Sequence, residues 1–276
     1  YKFRINYLNR IVAFFKRGRK PYGDFVETSF GKMHYIKRGS GEIPILLIHG
    51  NFASARFFEP FLKKLPAGYT AYCPDLPNFG YSSEMPGDVE IDKYAQGVEE
   101  YVKAMGLKDF ILIGHSLGGA VAMAYAIRNP DKVRRLILID SAPVDGMDLA
   151  EESHKLLNMY RYNPQIIKSA LMFNAPTYTN EKFFDVITSD ALRIAPKAFV
   201  GNAVALSSYD YTEKVKELKI PVDIVYGDKD VLISSEEMKR TAEAFPNGKL
   251  VMIKDVGHSS IIESPDEIVK LLQHRE

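Results

Sequence analysis

Residues 110–120 read FILIGHSLGGA, and this stretch restricts the fold more than any other in the chain. Phe110, Ile111, Leu112 and Ile113 are apolar without alternation, the pattern of a strand buried on both faces of a parallel sheet. Gly114-His115-Ser116-Leu117-Gly118 follows at once and leads into small residues suited to a close-packed helix. Between a strand and a helix, the pattern G-x-S-x-G holds its serine on a tight, strained turn with the hydroxyl exposed. Gly114 and Gly118 stand two residues either side of Ser116, where a Cβ would press on a neighbouring strand or helix. Ser116 is therefore a candidate nucleophile, against the plainer reading of an incidental serine in a glycine-rich turn.

A chain of 276 residues, 46% hydrophobic and 26% charged, is long enough for one large globular domain or a domain carrying an insertion. A net charge of +1 gives no electrostatic basis for a nucleic-acid partner. Cys73 is the single cysteine, so no internal disulfide framework exists and a packed, inert thiol is expected. No run of eighteen apolar residues is present to span a membrane.

Charge is unevenly placed. Seven of the 36 basic residues fall among the first twenty positions with no acid, leaving 29 basic against 35 acidic residues in the remainder. Leu8, Ile11, Val12 and Phe15 repeat at i, i+3, i+4 and i+7, so residues 1–20 read as a basic amphipathic helix. Such a helix suits peripheral contact with an anionic membrane surface, or docking on the body of this chain or of a second copy. The first residue is Tyr1 rather than methionine, so the expectation is a processed or trimmed form, for which an anchor or signal is one kind of upstream segment. Localisation is accordingly expected to be cytoplasmic or membrane-associated through this segment.

After Pro21 strands and helices alternate. A hairpin about Gly31 is followed by the buried strand Pro44–Ile48, which ends at His49-Gly50-Asn51-Phe52. A helix over 57–65 and a strand over 69–73 lead to Pro74-Asp75-Leu76-Pro77-Asn78-Phe79-Gly80, where Asp75 is expected to tie the loop together. Asp92 opens a helix whose Val98, Tyr101, Val102 and Met105 share one face, and Gly106 closes it. Val133–Ile139 reads as a further strand, apolar from Leu136 on, ending at Asp140. From Ser141 to about Thr212 strand signals largely stop, and Met, Phe, Tyr and Leu abound. Strands resume at 220–226, before Gly227-Asp228-Lys229-Asp230, and at 250–253, before Val256-Gly257-His258. Ser234 with Glu237 reads as a capping box, and Pro265 as the first residue of a last helix. Alternation of this kind requires an α/β fold, a mostly parallel sheet with helices on both faces.

GHSLGG, the HG dipeptide, the Asp75 loop, GDKD and GH, in this order from about residue 24 to the C-terminus, resemble the alpha/beta-hydrolase-fold serine hydrolases. Asn78 departs from the family's D-x-x-G-x-G-x-S loop by standing where glycine is usual, a substitution that a left-handed turn tolerates in Asn. The resemblance implies an eight-stranded, mostly parallel sheet. It also implies a core over 21–140 and 213–276 and a helical cap over 141–212. It implies a catalytic triad of Ser116, Asp230 and His258, and an oxyanion hole made by the Asn51 and Leu117 N–H groups, with Phe52 beside the substrate. Asp228, in the same loop, and Asp140, where some relatives place the acid, stand as rivals to Asp230. His34, His115, His154 and His274 are read as surface or structural groups.

A serine hydroxyl needs a base in contact to attack at neutral pH, and His258 held by Asp230 would supply it. The expected activity is that of a carboxylesterase or small lipase on short to medium acyl esters, with no metal or cofactor required. Serine rather than aspartate at position 116 argues against dehalogenase or epoxide-hydrolase chemistry. Other serine-dependent reactions on the same scaffold are carbon–carbon, lactone or amide hydrolysis and perhydrolysis. Ligand sensing by a vestigial triad is the non-enzymatic alternative.

Overall fold

In the computed structural model, which describes residues 22–149 and 157–273, the apolar runs become the strands of one sheet. The strands are β1 (Asp24–Thr28), β2 (Gly31–Gly39), β3 (Ile43–Ile48), β4 (Tyr69–Pro74), β5 (Phe110–His115), β6 (Val133–Ile139), β7 (Val222–Gly227) and β8 (Gly248–Ile253). Their order across the sheet is β1-β2-β4-β3-β5-β6-β7-β8. β1 pairs with β2 and β2 with β4 in antiparallel fashion, and every later pairing is parallel. This is the alpha/beta hydrolase fold expected from the sequence.

The absence of alternation in the strands has a direct cause. Leu46, Ile48, Leu112, Leu136, Leu138 and Ile224 face one layer of the core. Ile45, Leu47, Ile111, Ile113, Ile137, Ile139 and Val225 face the other. Both faces are covered, so successive side chains are all withdrawn from water, each contributing roughly 1.5–3 kcal/mol relative to exposure. On the first face lie α1 (Ile91–Met105) and α2 (Leu117–Arg128). α1 buries Tyr94, Val98, Tyr101 and Val102 and ends at Gly106, whose φ of 64° gives the left-handed cap. The opposite face is covered by Phe57, Phe58 and Phe61 from a short helical segment after β3, and by Ile268 and Leu272 from the C-terminal helix.

Between β6 and β7, residues 157–160 are helical and, among the described residues, three α-helices follow, α3 (Pro164–Phe173), α4 (Glu181–Ala191) and α5 (Ala198–Leu206). Asn163 and Asn180 begin α3 and α4 by accepting hydrogen bonds from Ile166 N–H and Phe183 N–H, and Pro164 occupies the first position of α3. The apolar residues that mark this segment divide by location. Phe183 and Phe184 are buried, Leu157, Tyr160 and Leu171 line a cavity, and Met159 and Phe173 are 57% and 69% exposed. α4 is fastened to the segment after β3 by a buried pair, Arg56 with Asp190, whose second carboxylate oxygen also takes Arg56 Nε–H at 2.7 Å and Ser54 O–H at 2.8 Å. After β7, α6 (Ser235–Ala244) opens on the expected capping box of Ser234 and Glu237. The last helix, α7 (Pro265–Gln273), has Pro265 as its first residue. The expected basic helix over residues 1–20, and His154 and His274, lie outside the described residues.

Candidate active site

β5 ends at His115 and α2 begins at Leu117, which leaves Ser116 alone to turn the chain, at φ 54° and ψ −124°. A non-glycine residue in this region is strained, on the order of 1–3 kcal/mol, and must be held by its surroundings. Ser116 N–H donates to Ile139 O at 3.1 Å, and Ser116 O accepts from Ala142 N–H at 3.1 Å, so the end of β6 grips the turn. The flanking glycines make the close approach possible. A Cβ on Gly114 would stand 2.4 Å from Gly118 O, and one on Gly118 would stand 2.2 Å from Ile48 O.

The loops after β7 and β8 meet because those strands are parallel neighbours and because Gly227 has no side chain. A Cβ there would lie 2.4 Å from both Val256 O and Gly257 O. Lys229 N–H donates to Val256 O at 2.9 Å and locks the two loops in register. The result is one line of contacts. His258 Nε2 lies 2.9 Å from Ser116 Oγ, and His258 Nδ1 lies 2.8 Å from Asp230 Oδ2. The other Asp230 oxygen accepts from Leu232 N–H at 2.8 Å and Ile233 N–H at 3.1 Å, which fixes the carboxylate plane. A carboxylate only accepts, so Nδ1–H points to Asp230 and Nε2 is free to take the serine proton. Burial disfavours the imidazolium, but the hydrogen bond and charge of Asp230, with Asp140 behind it, outweigh that and raise the His258 pKa above its ordinary value.

The two rival acids serve elsewhere. Asp228 Oδ1 accepts from Asp255 N–H at 2.6 Å across the turn after β8. Asp140 is fully buried, with its oxygens on Gly227 N–H, Ser260 N–H and Ser260 O–H at 2.7–3.0 Å. Burial lifts its pKa to about 7, an effect that the positive field of His258 reduces. Asp140 thus braces the loop that carries His258 without touching its ring. Asp75 ties its own loop as expected, accepting from Ala55 N–H and Tyr81 N–H and pairing with His34. His49 is a structural hydrogen-bonder that accepts from Leu76 N–H at 3.0 Å. His115 turns away from the hydroxyl, stacks on Phe57 and bonds His258 O at 2.8 Å through Nε2. Burial and the neighbouring His258 drop its pKa to about 3, so it stays neutral.

The turn after β3 lies against the elbow, since a Cβ on Gly50 would stand 2.9 Å from Ser116 Cβ. Leu117 N–H is the first amide of α2, one of the donors a helix leaves unpaired at its N-terminus. Asn51, Phe52, Ser116 and His258 line a cavity of about 250 Å³ whose far wall is apolar, including Met147, Tyr160, Ile167, Leu171 and Leu206. Phe52, at φ 54°, packs on Tyr160 and Phe199. Ile167 and Leu206 carried no distinguishing sequence signal, since one apolar helix face looks the same whether it meets core or cavity.

A hydroxyl in contact with an imidazole that an acid orients, at the foot of an apolar cavity, is able to attack an electrophilic carbon. A family model described as alpha/beta hydrolase fold matches residues 43–265. Lipase 1 of Psychrobacter immobilis is 32% identical over 258 residues, which cover 87% of this chain and 79% of that protein. Lipase 3 of Moraxella sp. (strain TA144) is 30% identical over 260 residues, covering 86% and 78%. Among solved structures, an esterase from Exiguobacterium antarcticum superposes with a TM-score of 0.82 at 19% identity, over 91% of this chain and 98% of that one.

Proposed function

The chain belongs to the alpha/beta hydrolase fold family, as a lipase- and esterase-like member, and on that premise we propose that it is a carboxylesterase acting on short to medium acyl esters. The observation that carries the proposal is the 2.9 Å contact of His258 Nε2 with Ser116 Oγ, continued at 2.8 Å to Asp230. In this reading Ser116 Oγ attacks the ester carbonyl carbon while His258 Nε2 takes its proton. The carbonyl π electrons move onto oxygen, and the oxyanion is received by Asn51 N–H and Leu117 N–H at the positive end of α2. Collapse of the tetrahedral intermediate breaks the bond to the alcohol oxygen, which leaves with the proton from His258. Water then attacks the acyl-enzyme, His258 again accepts a proton, and the acid is released with Ser116 restored.

In this reading the described residues of the segment 141–212 act as a cap over this chemistry. Its apolar lining holds the acyl chain and excludes bulk water from the developing charge. The cavity volume and, among the described residues, the lack of a charged side chain beside its apolar lining favour a neutral acyl group over a polar one. Hydrolysis of p-nitrophenyl esters over a chain-length series tests the proposal. The expected outcome is kcat/KM peaking at short to medium acyl chains, with turnover abolished in Ser116→Ala. Binding without turnover across the whole series contradicts it and favours the ligand-sensing alternative.

A further inference from the structure

The side chain of Asn51 is held from far outside the catalytic contacts. Its Oδ1 accepts two hydrogen bonds, from Phe52 N–H at 3.0 Å and from Asn202 Nδ2–H at 2.9 Å. Asn202 lies on α5 in the insertion and is fully buried. Its own Oδ1 accepts from the Tyr94 hydroxyl of α1 at 2.7 Å, and that hydroxyl accepts from Asn78 Nδ2–H at 3.3 Å. Asn78 Oδ1 in turn accepts from Met85 N–H at 2.9 Å. Four side chains from four separate parts of the chain thus form one buried line.

The polarity of that line is fixed from both ends. Phe52 N–H and Met85 N–H are backbone donors and cannot turn into acceptors. Asn51 must therefore show its carbonyl, and Asn202 must present its amide hydrogens to Asn51 and its carbonyl to Tyr94. Tyr94 must then donate onward and accept from Asn78, and no other orientation satisfies every group. The same line explains why asparagine stands at 78. At φ 73° the position accepts Asn as well as glycine, and only Asn also supplies the donor and the acceptor.

α5 is itself set firmly in place. Lys197 Nζ bonds Met85 O and, at 2.9 Å, Gly87 O. Ala195 N–H donates to Asn78 O at 2.8 Å. A Cβ on Gly201 would stand 2.8 Å from the Val89 side chain, so the helix sits directly on the 85–89 loop.

We infer that Asn202 is a positioning residue for the oxyanion turn, acting through Asn51 and backed by Tyr94 and Asn78. Phe52 is held at φ 54°, a conformation that the two bonds to Asn51 Oδ1 help to maintain, and the same bonds fix Asn51 where it lines the cavity. This makes one donor of the oxyanion hole depend on correct seating of the insertion. The inference rests on the proposed esterase reading, in which Asn51 N–H receives the oxyanion.

The test compares wild type with Asn202→Leu, which keeps the volume but removes donor and acceptor, and with Tyr94→Phe. Four quantities are measured: kcat and KM on p-nitrophenyl butanoate, the inhibition constant of a trifluoromethyl ketone with the same acyl chain, and Tm. Ser116 Oγ adds to the ketone carbon, its proton passes to His258, and the ketone oxygen becomes an oxyanion in the same hole. Outright removal of an oxyanion donor costs about 10²- to 10³-fold, so loosening one that remains should cost less, about tenfold in kcat. In Asn202→Leu the ketone should weaken by that same factor while KM stays within about twofold, because ground-state binding does not use the hole. Tyr94→Phe should move kcat and ketone affinity together by about threefold, and it carries the test alone should Asn202→Leu fail to fold. Wild-type kcat and ketone affinity in the variants overturn the inference. A fall in kcat with ketone affinity unchanged also overturns it and marks a packing role. A wild-type protein that neither turns over the ester nor binds the ketone overturns the esterase reading itself.

Discussion

In the proposed mechanism His258 must be neutral to accept the serine proton, yet its surroundings favour the charged ring. Burial works against the imidazolium, and the Asp230 bond and charge, with the nearby Asp140, overcome it. A raised pKa moves the acid limb of the rate profile upward, so kcat/KM should climb with pH to an inflection above the ordinary value of about 6.5. A flat profile between pH 5 and 8 contradicts a His258 base. Substitution separates the two acids. Asp230→Asn removes the group that orients the ring, and the rate should fall about 10⁴-fold, with the inflection displaced to lower pH. Asp140→Asn removes a charge behind the ring and one of the acceptors that brace its loop, so the inflection should move in the same direction while kcat drops less than about tenfold. Equal losses from the two changes would show that Asp140 shares the catalytic contact. Asp230 was legible in the sequence because it follows a strand at a spacing tied to one family. The bracing role of Asp140 was not, because its partners Gly227 and Ser260 are 87 and 120 positions away.

The elements differ in how openly the sequence declares them. The elbow, the strands and the capping box depend on neighbours within a few residues, and each lies where the pattern puts it. Strand ends drift by a residue or two: β7 begins at Val222 rather than 220, after Pro221, which has no N–H to give to a ladder. The expected helix over 57–65 is a short 3₁₀ turn over Ala55–Phe58 continued by Glu59–Leu62, because Ser54 caps the segment earlier by accepting from Arg56 N–H. The docking of α4 was invisible, since an arginine and an aspartate 134 positions apart carry no pairwise signal. That pair has a measurable consequence. With side-chain exposures of 8% and 1%, removing Asp190 leaves a guanidinium buried without its counter-charge. Urea denaturation of Asp190→Ala should show a loss of about 3–5 kcal/mol, most of it regained when Arg56→Met is added. A loss below about 1 kcal/mol would mean that the pair does not hold α4 to the body.

Across the whole molecule, one geometry accounts for the proposed chemistry. β5, β7 and β8 deliver Ser116, Asp230 and His258 from the same edge of the sheet, and the strand order is what places them within reach. Among the described residues, four of the six non-glycine residues with positive φ, Phe52, Asn78, Ser116 and Asp140, belong to the proposed site or brace it, so local strain collects there. Sequence alone located these positions by motif, but the meeting of Asn51, Asn202, Tyr94 and Asn78 needed the fold. The central claim is that Ser116 carries the acyl group between the two halves of the reaction. Acid-quenched protein taken during turnover of a p-nitrophenyl ester should gain the mass of one acyl group, mapped by peptide mass spectrometry to Ser116 and missing in Ser116→Ala. Steady hydrolysis with no acyl group on Ser116, or undiminished hydrolysis in Ser116→Ala, would contradict it.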